Sequence, residues 1–117
     1  MATLEVTGTE LRVRFSRAEK VAGLIRDIEV PRSAVREVLV EPDGAAAVHG
    51  LRAPGLGLPR RKVGTWRQRG RRTAVSVRGG EPAVRIRLDG ARFGELLIGD
   101  PDAARIAESL AVGAGRP

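Results

Sequence analysis

Apolar and polar residues alternate along much of this chain, and the alternation predicts β-strands. Leu11, Val13 and Phe15 are separated by arginines, and residues 75–77 and 84–88 follow the same pattern. A period of two is typical of antiparallel strands that have one face against a core and the other in water. Further strands are predicted over residues 4–6, 27–30, 35–41, 62–67 and 93–98. The chain is therefore expected to be mainly β, with about seven short strands joined by turns.

A short helix is predicted near residues 16–25, where the alternation stops. Ser16 is followed by Glu19 at the spacing of a capping box, in which each side chain accepts a hydrogen bond from the other residue's backbone amide. The apolar positions expected to face the core are Ala18, Val21, Ala22 and Ile25. Their spacing is helical, so the helix should run for about two turns.

A second helix is predicted near residues 101–111. Asp100 precedes Pro101, which is the usual order of an N-cap residue and the first helical position. One apolar stripe follows, formed by Ala103, Ile106, Ala107 and Leu110. A helix with a single apolar stripe must cover a core, so we expect it to close one end of a small β-barrel or sandwich. The chain is interpreted as one domain over residues 1–112 with a flexible tail, 113–117.

Residues 43–60 are rich in Ala, Gly and Pro and predict the one long loop of the domain. The residues expected to form a rigid turn that contacts a partner are Pro54, Gly55, Gly57 and Pro59. Three leucines at positions 51, 56 and 58 should hold this loop against the apolar interior. The loop lacks the Gly-Lys-Ser/Thr ending of a phosphate-binding loop, which argues against a nucleotide site.

Four segments carry a resemblance to a known family. They are residues 30–35 (VPRSAV), 50–59 (GLRAPGLGLP), 64–66 (GTW) and 100–101 (DP). In these segments and in its order of elements, the chain resembles small uncharacterised actinobacterial proteins with a pleckstrin-homology-like (PH-like) domain. The resemblance implies a bent antiparallel barrel, a C-terminal capping helix and a binding role. Members that bind phosphoinositides have basic residues between the first two strands, whereas residues 7–9 here contain none, so any such activity would use residues 60–72.

The positive charge of the chain is concentrated in one quarter of it. The chain has 21 basic and 14 acidic residues, and no Asp or Glu lies between Asp43 and Glu81. The candidate residues for binding an anionic partner are Arg60, Arg61, Lys62, Arg67, Arg69, Arg71 and Arg72. Almost all of the cations are arginines, so a GC-rich genome and a merely solvated face are the alternative explanation.

The arginines near Gly70 are expected to lie at the tip of a hairpin. Counting along the chain places Arg67, Arg69 and Arg71 on one side and Arg72 on the other. Their long-range field would attract phosphates, acidic peptides or anionic lipid head groups. The residues expected to face them are Ala74, Ser76 and Arg78.

Trp66 lies within the basic segment and has two interpretations. It could stack on a nucleic-acid base or lie at a membrane interface. We favour a large core or rim anchor beside Val63, because single-strand binders generally use several stacking aromatics and this chain has no second one nearby.

Little in the sequence indicates catalysis. There is no cysteine, so thiolate chemistry and disulfides are excluded, and the single His49 cannot by itself form a zinc site. No serine lies in a nucleophile-elbow sequence. We expect no catalytic residues, no metal and no cofactor, and we expect His49 to be a loop or surface residue. The N-terminus does not have the pattern of a signal peptide, and no apolar run predicts a membrane helix, which favours a cytoplasmic protein.

The sequence therefore predicts a non-catalytic binding or scaffold module whose partner is a protein. The alternative is a basic module that binds nucleic acid or acidic lipid through residues 60–72. A third interpretation is an oligomerising structural protein that pairs exposed strand edges, which would make the chain a homo-oligomer.

Overall fold

In the computed structural model, which describes residues 2–114, the protein is mainly β, as predicted. The strands are β1 (Thr3–Val6), β2 (Glu10–Arg14), β3 (Ile28–Pro31), β4 (Val35–Glu41), β5 (Leu51–Leu58), β6 (Arg61–Gln68), β7 (Arg71–Arg78), β8 (Ala83–Leu88) and β9 (Glu95–Gly99). The helices are α1 (Arg17–Gly23) and α2 (Ala103–Ala114), and a 3₁₀ helix (Arg32–Ala34) lies between β3 and β4. The described part of the chain thus has nine strands instead of about seven.

The strands form two sheets. One has the order β1-β2-β3, and the other has the order β4-β8-β9-β7-β6-β5. The prediction of uniformly antiparallel strands is wrong at one place, because β7 and β9 are parallel. Strand β9 follows β8 through the 89–94 turn and lies between β8 and β7 in the sheet. It is antiparallel to β8 and parallel to β7.

The larger sheet has a core on each face. On one face, residues such as Ile86 and Leu96 pack against Leu11 and Val13 of the smaller sheet. On the other face, the 43–50 segment covers a second, smaller cluster, which consists of Ala45, Ala47, Trp66, Val75, Val77, Ala83 and Leu97. The prediction of one wet face is therefore wrong for the central strands β7 and β9, which are covered on both sides.

Helix α1 begins as predicted but buries a different face. The Glu19 amide donates to the Ser16 hydroxyl, and the Ser16 amide donates to the Glu19 carboxylate, which completes the capping box. Glu19 and Gly23 are buried, whereas Val21 is 72% exposed. Gly23 lies so close to β6 that a Cβ there would be 2.7 Å from Cγ1 of Val63. The predicted apolar stripe does not face the core, except at Ile25 beyond the helix end.

Helix α2 is docked as predicted. The helix begins at Ala103, two positions later than predicted, so Pro101 is not its first residue. The Asp102 amide donates to the Asp100 carboxylate at 2.8 Å in the turn that precedes the helix. Ala103 and Leu110 are each 1% exposed and belong to the main core, where the helix packs on β4 and β8. The helix extends to Ala114, and positions 115–117 of the predicted tail lie outside the described residues. Neither helix is long and apolar enough to cross a membrane within the described part of the chain.

The predicted loop before residue 60 contains an edge strand. Residues 51–58 pair with β6 and form β5, with a bulge between Arg52 and Gly55. Gly55 has φ +149°, and a Cβ there would lie 2.6 Å from the carbonyl oxygen of Val63, so the close approach requires glycine. Leu51 is 80% and Leu58 53% exposed, so they do not hold the segment against the interior. Pro59 lies in the turn after β5, and the side chain of Pro54 lies outside the described part.

Candidate anion-binding site at the arginine-rich end

The seven candidate cations do not form one surface. Arg60, Arg61 and Lys62 lie at the start of β6, whereas the other four lie at its far end and at the start of β7. Arg67 is six positions after Arg61 in the extended strand, which is a distance of about 20 Å. The structure therefore divides the sequence cluster into two groups at opposite ends of one hairpin.

The group at the start of β6 is engaged in the fold. Arg61 donates to the carboxylate of Glu19 and to the carbonyl of Val77, each at 3.0 Å. Lys62 donates to the carbonyl of Ala45 at 3.3 Å, which ties the 43–50 segment to β6. Arg60 is exposed and donates to the carbonyl of Gly79 at 3.4 Å. Arg61 and Lys62 are thus structural cations.

The Glu19 carboxylate forms a buried ionic contact with this group. Burial raises its pKa, but hydrogen bonds from the Ser76 hydroxyl, the Ser16 amide and Arg61 outweigh that effect and lower the pKa to about 2. The side chain is 4% exposed. Glu19 therefore stays ionised at neutral pH and fixes α1 to the larger sheet.

The other group lies on the β6–β7 hairpin and its turn. Arg69 and Gly70 form a two-residue turn in which both φ angles are positive, at 51° and 77°. In this register Arg67 is opposite Arg72, and Gln68 is opposite Arg71. Directly opposed residues share a face. The prediction that Arg67 and Arg71 share a side is therefore wrong, because a two-residue turn reverses the parity that counting along the chain assumes.

A fifth arginine, which the sequence analysis did not identify, lies beside the hairpin tip. The 89–94 loop is held against β7 by the Gly94 amide, which donates to the carbonyl of Arg72 at 2.9 Å. This contact places Arg92 with Arg69, Arg71 and Arg72 around a shallow cavity of about 360 Å³. We call Arg67, Arg69, Arg71, Arg72 and Arg92 the arginine-rich end. No local sequence signal links Arg92 to the tip, because the long-range pairing of β7 with β9 brings them together.

The five arginines differ in their partners. Arg71 lies 4.0 Å from the carboxylate of Glu95, and the guanidinium of Arg72 lies 5.1 Å from the centre of the Phe93 ring. Arg67, Arg69 and Arg92 are exposed, and none of them pairs with a carboxylate among residues 2–114. Three guanidinium groups thus remain available to a ligand at this end.

A buried ionic network lies next to the tip. The Glu95 carboxylate contacts Arg85 at 2.5 Å and accepts a hydrogen bond from Thr73 at 3.5 Å. Arg85 also contacts Glu41 at 3.3 Å and donates to the carbonyl of Ala47. Arg85 thus faces two carboxylates, and Arg71 of the arginine-rich end lies against the remaining negative charge.

Trp66 takes no part in this surface. The side chain is 5% exposed and packs in the second core with Val75 and Leu97. The favoured interpretation of Trp66 as a core anchor is confirmed, but Val63 belongs to the core on the other face of the sheet. Phe93 is also buried, at 7% exposed. His49 is exposed in the 43–50 segment, as expected.

The described residues include no group of three or more His, Asp or Glu side chains that could hold a metal ion. The chain matches no model of a protein family, no curated protein and no solved structure. Functional inference must therefore come from the geometry of the site.

Proposed function

We propose that this protein is a non-catalytic binding module that recognises an anionic partner through its arginine-rich end. The observation that carries the proposal is the group of three exposed arginines, Arg67, Arg69 and Arg92, which have no carboxylate partner in the described chain. Guanidinium groups bind carboxylates, phosphates and sulfates through charge-assisted hydrogen bonds. Several such groups on one end favour a partner that presents several anions.

The backbone at Arg69 supports a functional role for this arginine. Left-handed φ values are disfavoured for residues with a Cβ, and such turns usually have Asn, Asp or Gly at this position. Arg69 adopts φ 51° and is fully at the surface. Strained residues of this kind are concentrated at functional sites. An arginine at the tip of the hairpin thus costs stability, and anion binding supplies a reason for that cost.

The lack of exposed aromatic rings limits the kind of partner. Binding of single-stranded nucleic acid relies on bases that stack on aromatic side chains. Trp66 and Phe93, the aromatic residues nearest the tip, are both buried. We therefore propose recognition of surface charge, by an acidic protein segment or another polyanion, without readout of bases.

We also propose that the architecture is PH-like. Support comes from the two sheets around a common core and from α2, whose Leu110 packs into that core. The parallel pairing of β7 with β9 departs from the uniformly antiparallel barrel that the resemblance implies.

The function is tested by comparing two variants with equal loss of charge. Arg67→Ala/Arg69→Ala removes two free cations from the arginine-rich end, and Arg60→Ala/Arg78→Ala removes two exposed cations from the opposite end of the same hairpin. We expect the first variant to elute from heparin at a clearly lower salt concentration than the parent. The control should elute much closer to the parent.

Both variants should keep the melting temperature of the parent, since neither pair of arginines contributes to a core. A lower melting temperature would identify a loss of folding. Equal losses of heparin retention in both variants would mean that heparin responds only to net charge, and the proposed site would be wrong. A parent protein that is not retained at all would contradict anion binding altogether.

A further inference from the structure

A larger cleft lies beside the arginine-rich end. Its volume is about 800 Å³, within the range of small-molecule sites. It is bounded by the 24–27 connection, β3, the 3₁₀ helix and the 89–93 loop, and Thr65 and Arg72 contribute to it from the larger sheet. The cleft is thus an opening between the two sheets, at the end of the main core.

The charges of the cleft favour an anion. Three carboxylates line it, and each of them has a cationic partner. Asp27 lies 3.4 Å from Lys20, Glu29 lies 3.0 Å from Arg12, and Asp89 lies 3.4 Å from Arg36.

Three arginines of the lining have no such partner. Arg26, Arg72 and Arg92 make no ion pair with a carboxylate among the residues that the structure describes. The uncompensated charge in the cleft is therefore positive.

Two polar groups of the cleft lack hydrogen-bond partners. Thr65 is 4% exposed, and its hydroxyl makes no hydrogen bond within the described chain. The Nε of Arg72 is buried and also has no hydrogen-bond partner there. Buried polar groups are almost always hydrogen-bonded, so the unsatisfied Nε of Arg72 indicates a missing acceptor. Thr65 is opposite Ala74, two positions from Arg72, so both side chains leave the sheet on the same face and line the cleft.

Apolar residues with accessible surface also line the cleft. Leu24 is 70% exposed, and Ile28 and Ala91 are partly buried. Their side chains offer an apolar surface to a ligand. A small inorganic anion would leave most of this surface uncovered, whereas a ligand with an apolar body would cover it.

We propose that this cleft binds a small amphipathic molecule with one terminal carboxylate or phosphate. The oxyanion accepts hydrogen bonds from Thr65 and Arg72, and the apolar body packs against Leu24, Ile28 and Ala91. Arg67 and Arg69 do not line the cleft, whereas Arg72 and Arg92 belong to both the cleft and the arginine-rich end. The two proposed sites are therefore adjacent, and Arg67→Ala/Arg69→Ala changes only the surface proposed for the anionic partner.

The test uses decanoate below its micelle concentration and decanol as its uncharged counterpart. The signal of the Arg72 Nε–H group in a ¹H–¹⁵N spectrum reports contact with the oxyanion. We expect decanoate to shift this signal and raise the melting temperature, and decanol to do neither at the same concentration. Decyl phosphate, compared with decanoate, distinguishes a phosphate from a carboxylate head group. Inorganic phosphate, compared with decyl phosphate, shows whether an apolar body is needed.

Thr65→Val removes the hydroxyl while preserving the shape of the side chain. It should weaken decanoate binding about tenfold, which is the usual effect of losing a hydrogen bond to a charged group. Thr3→Val, at an exposed position of β1, is the matched control and should bind decanoate like the parent. If Thr65→Val does not fold, Ala91→Trp, which fills the cleft from the 89–93 loop, should abolish binding.

Several results would overturn the proposal. Decanol that binds as tightly as decanoate would show that no oxyanion site exists. An unshifted Arg72 signal would show that the ligand binds elsewhere. Inorganic phosphate that binds as well as decanoate would show that an apolar body contributes nothing to binding. Loss of heparin retention in Arg67→Ala/Arg69→Ala with unchanged decanoate binding would show that the two sites are independent and would uphold both.

Discussion

Arg67 and Arg72 lie directly opposite each other near the tip of the β6–β7 hairpin, so their side chains leave the sheet on the same face. Arg71, which is adjacent to Arg72, leaves on the other face and approaches Glu95. The hairpin tip is therefore held on both sides, through Phe93 on one and Glu95 on the other. The 89–94 loop contributes to this support and places Arg92 at the same end.

Replacing Arg69 should make the protein more stable and a weaker anion binder. Arg69→Asn places a residue that tolerates positive φ at the first turn position, and we expect a gain of roughly 0.5–1 kcal/mol in the free energy of unfolding. Retention on heparin should fall at the same time. Arg67→Asn, at an extended strand position, is the control and should not stabilise the protein. Urea titrations measure the free energy of unfolding of each variant. An Arg69→Asn variant that is less stable than the parent would contradict a strained backbone at Arg69.

The buried carboxylate of Glu19 should make the free energy of unfolding depend on pH in the acidic range. Its pKa of about 2 in the folded protein lies below its ordinary value of 4.5. The unfolded chain therefore takes up the proton first as the pH falls. The stabilisation is complete above about pH 4.5, amounts to at most about 3 kcal/mol, and is lost between pH 4.5 and 2.

Glu19→Gln should remove that acid-dependent part. We expect a loss of about 3 kcal/mol at pH 7, which shrinks as the pH is lowered toward 2. Glu108→Gln, on the exposed surface of α2, is the control and should have little effect at either pH. A Glu19→Gln variant that is equally destabilised at pH 7 and pH 2.5, in urea titrations, would argue against an ionised Glu19.

The docking of α2 can be tested through its cap and its buried leucine. Asp100→Ala removes the acceptor for the Asp102 amide and should cost about 1 kcal/mol. Leu110→Ala leaves a cavity in the main core and should cost more, roughly 2–5 kcal/mol. Ser109→Ala, next to it but exposed, should be close to neutral. Losses of equal size at Leu110 and Ser109 in urea titrations would show that the helix is not docked.

The fluorescence of Trp66 should not respond to the anionic partner. Because the ring is 5% exposed, acrylamide should quench it poorly, with or without saturating heparin. A reporter at the tip should behave differently. In Trp66→Phe/Gln68→Trp the new ring is exposed, and heparin should protect it from acrylamide. Strong protection of Trp66 itself in the parent would mean that it contacts the ligand.

The sequence predicted the features of this fold that depend on neighbouring residues. The capping box of Ser16 and Glu19 was correct, because it involves residues three positions apart. The second helix was predicted two positions too early, although Asp100 does bond the Asp102 amide in the turn before it. The buried face of α1 was wrong, because it depends on a distant partner. Glu19 is buried rather than Val21 because Arg61 and Ser76, far along the chain, supply its hydrogen bonds.

Strand β5 was missed for a related reason. Its two glycines, its proline and the bulge at Gly55 break the period of two, so only the hydrogen bonds to β6 reveal it as a strand. The candidate site was predicted in part. The basic segment was visible in the sequence. The engagement of Arg61 by Glu19 depends on the packing of α1 against β6, and the addition of Arg92 depends on the pairing of β7 with β9.

The salt dependence of polyanion binding tests the central claim most directly. A short DNA duplex serves as a polyanion of known charge density, and the slope of log K against log salt counts the phosphates that the protein neutralises. We expect Arg67→Ala/Arg69→Ala to reduce the magnitude of that slope by about two units, because each lost arginine contact contributes about one. Arg60→Ala/Arg78→Ala should leave the slope as in the parent. An unchanged slope in the tip variant, or a reduced slope in the control, would contradict binding at the arginine-rich end.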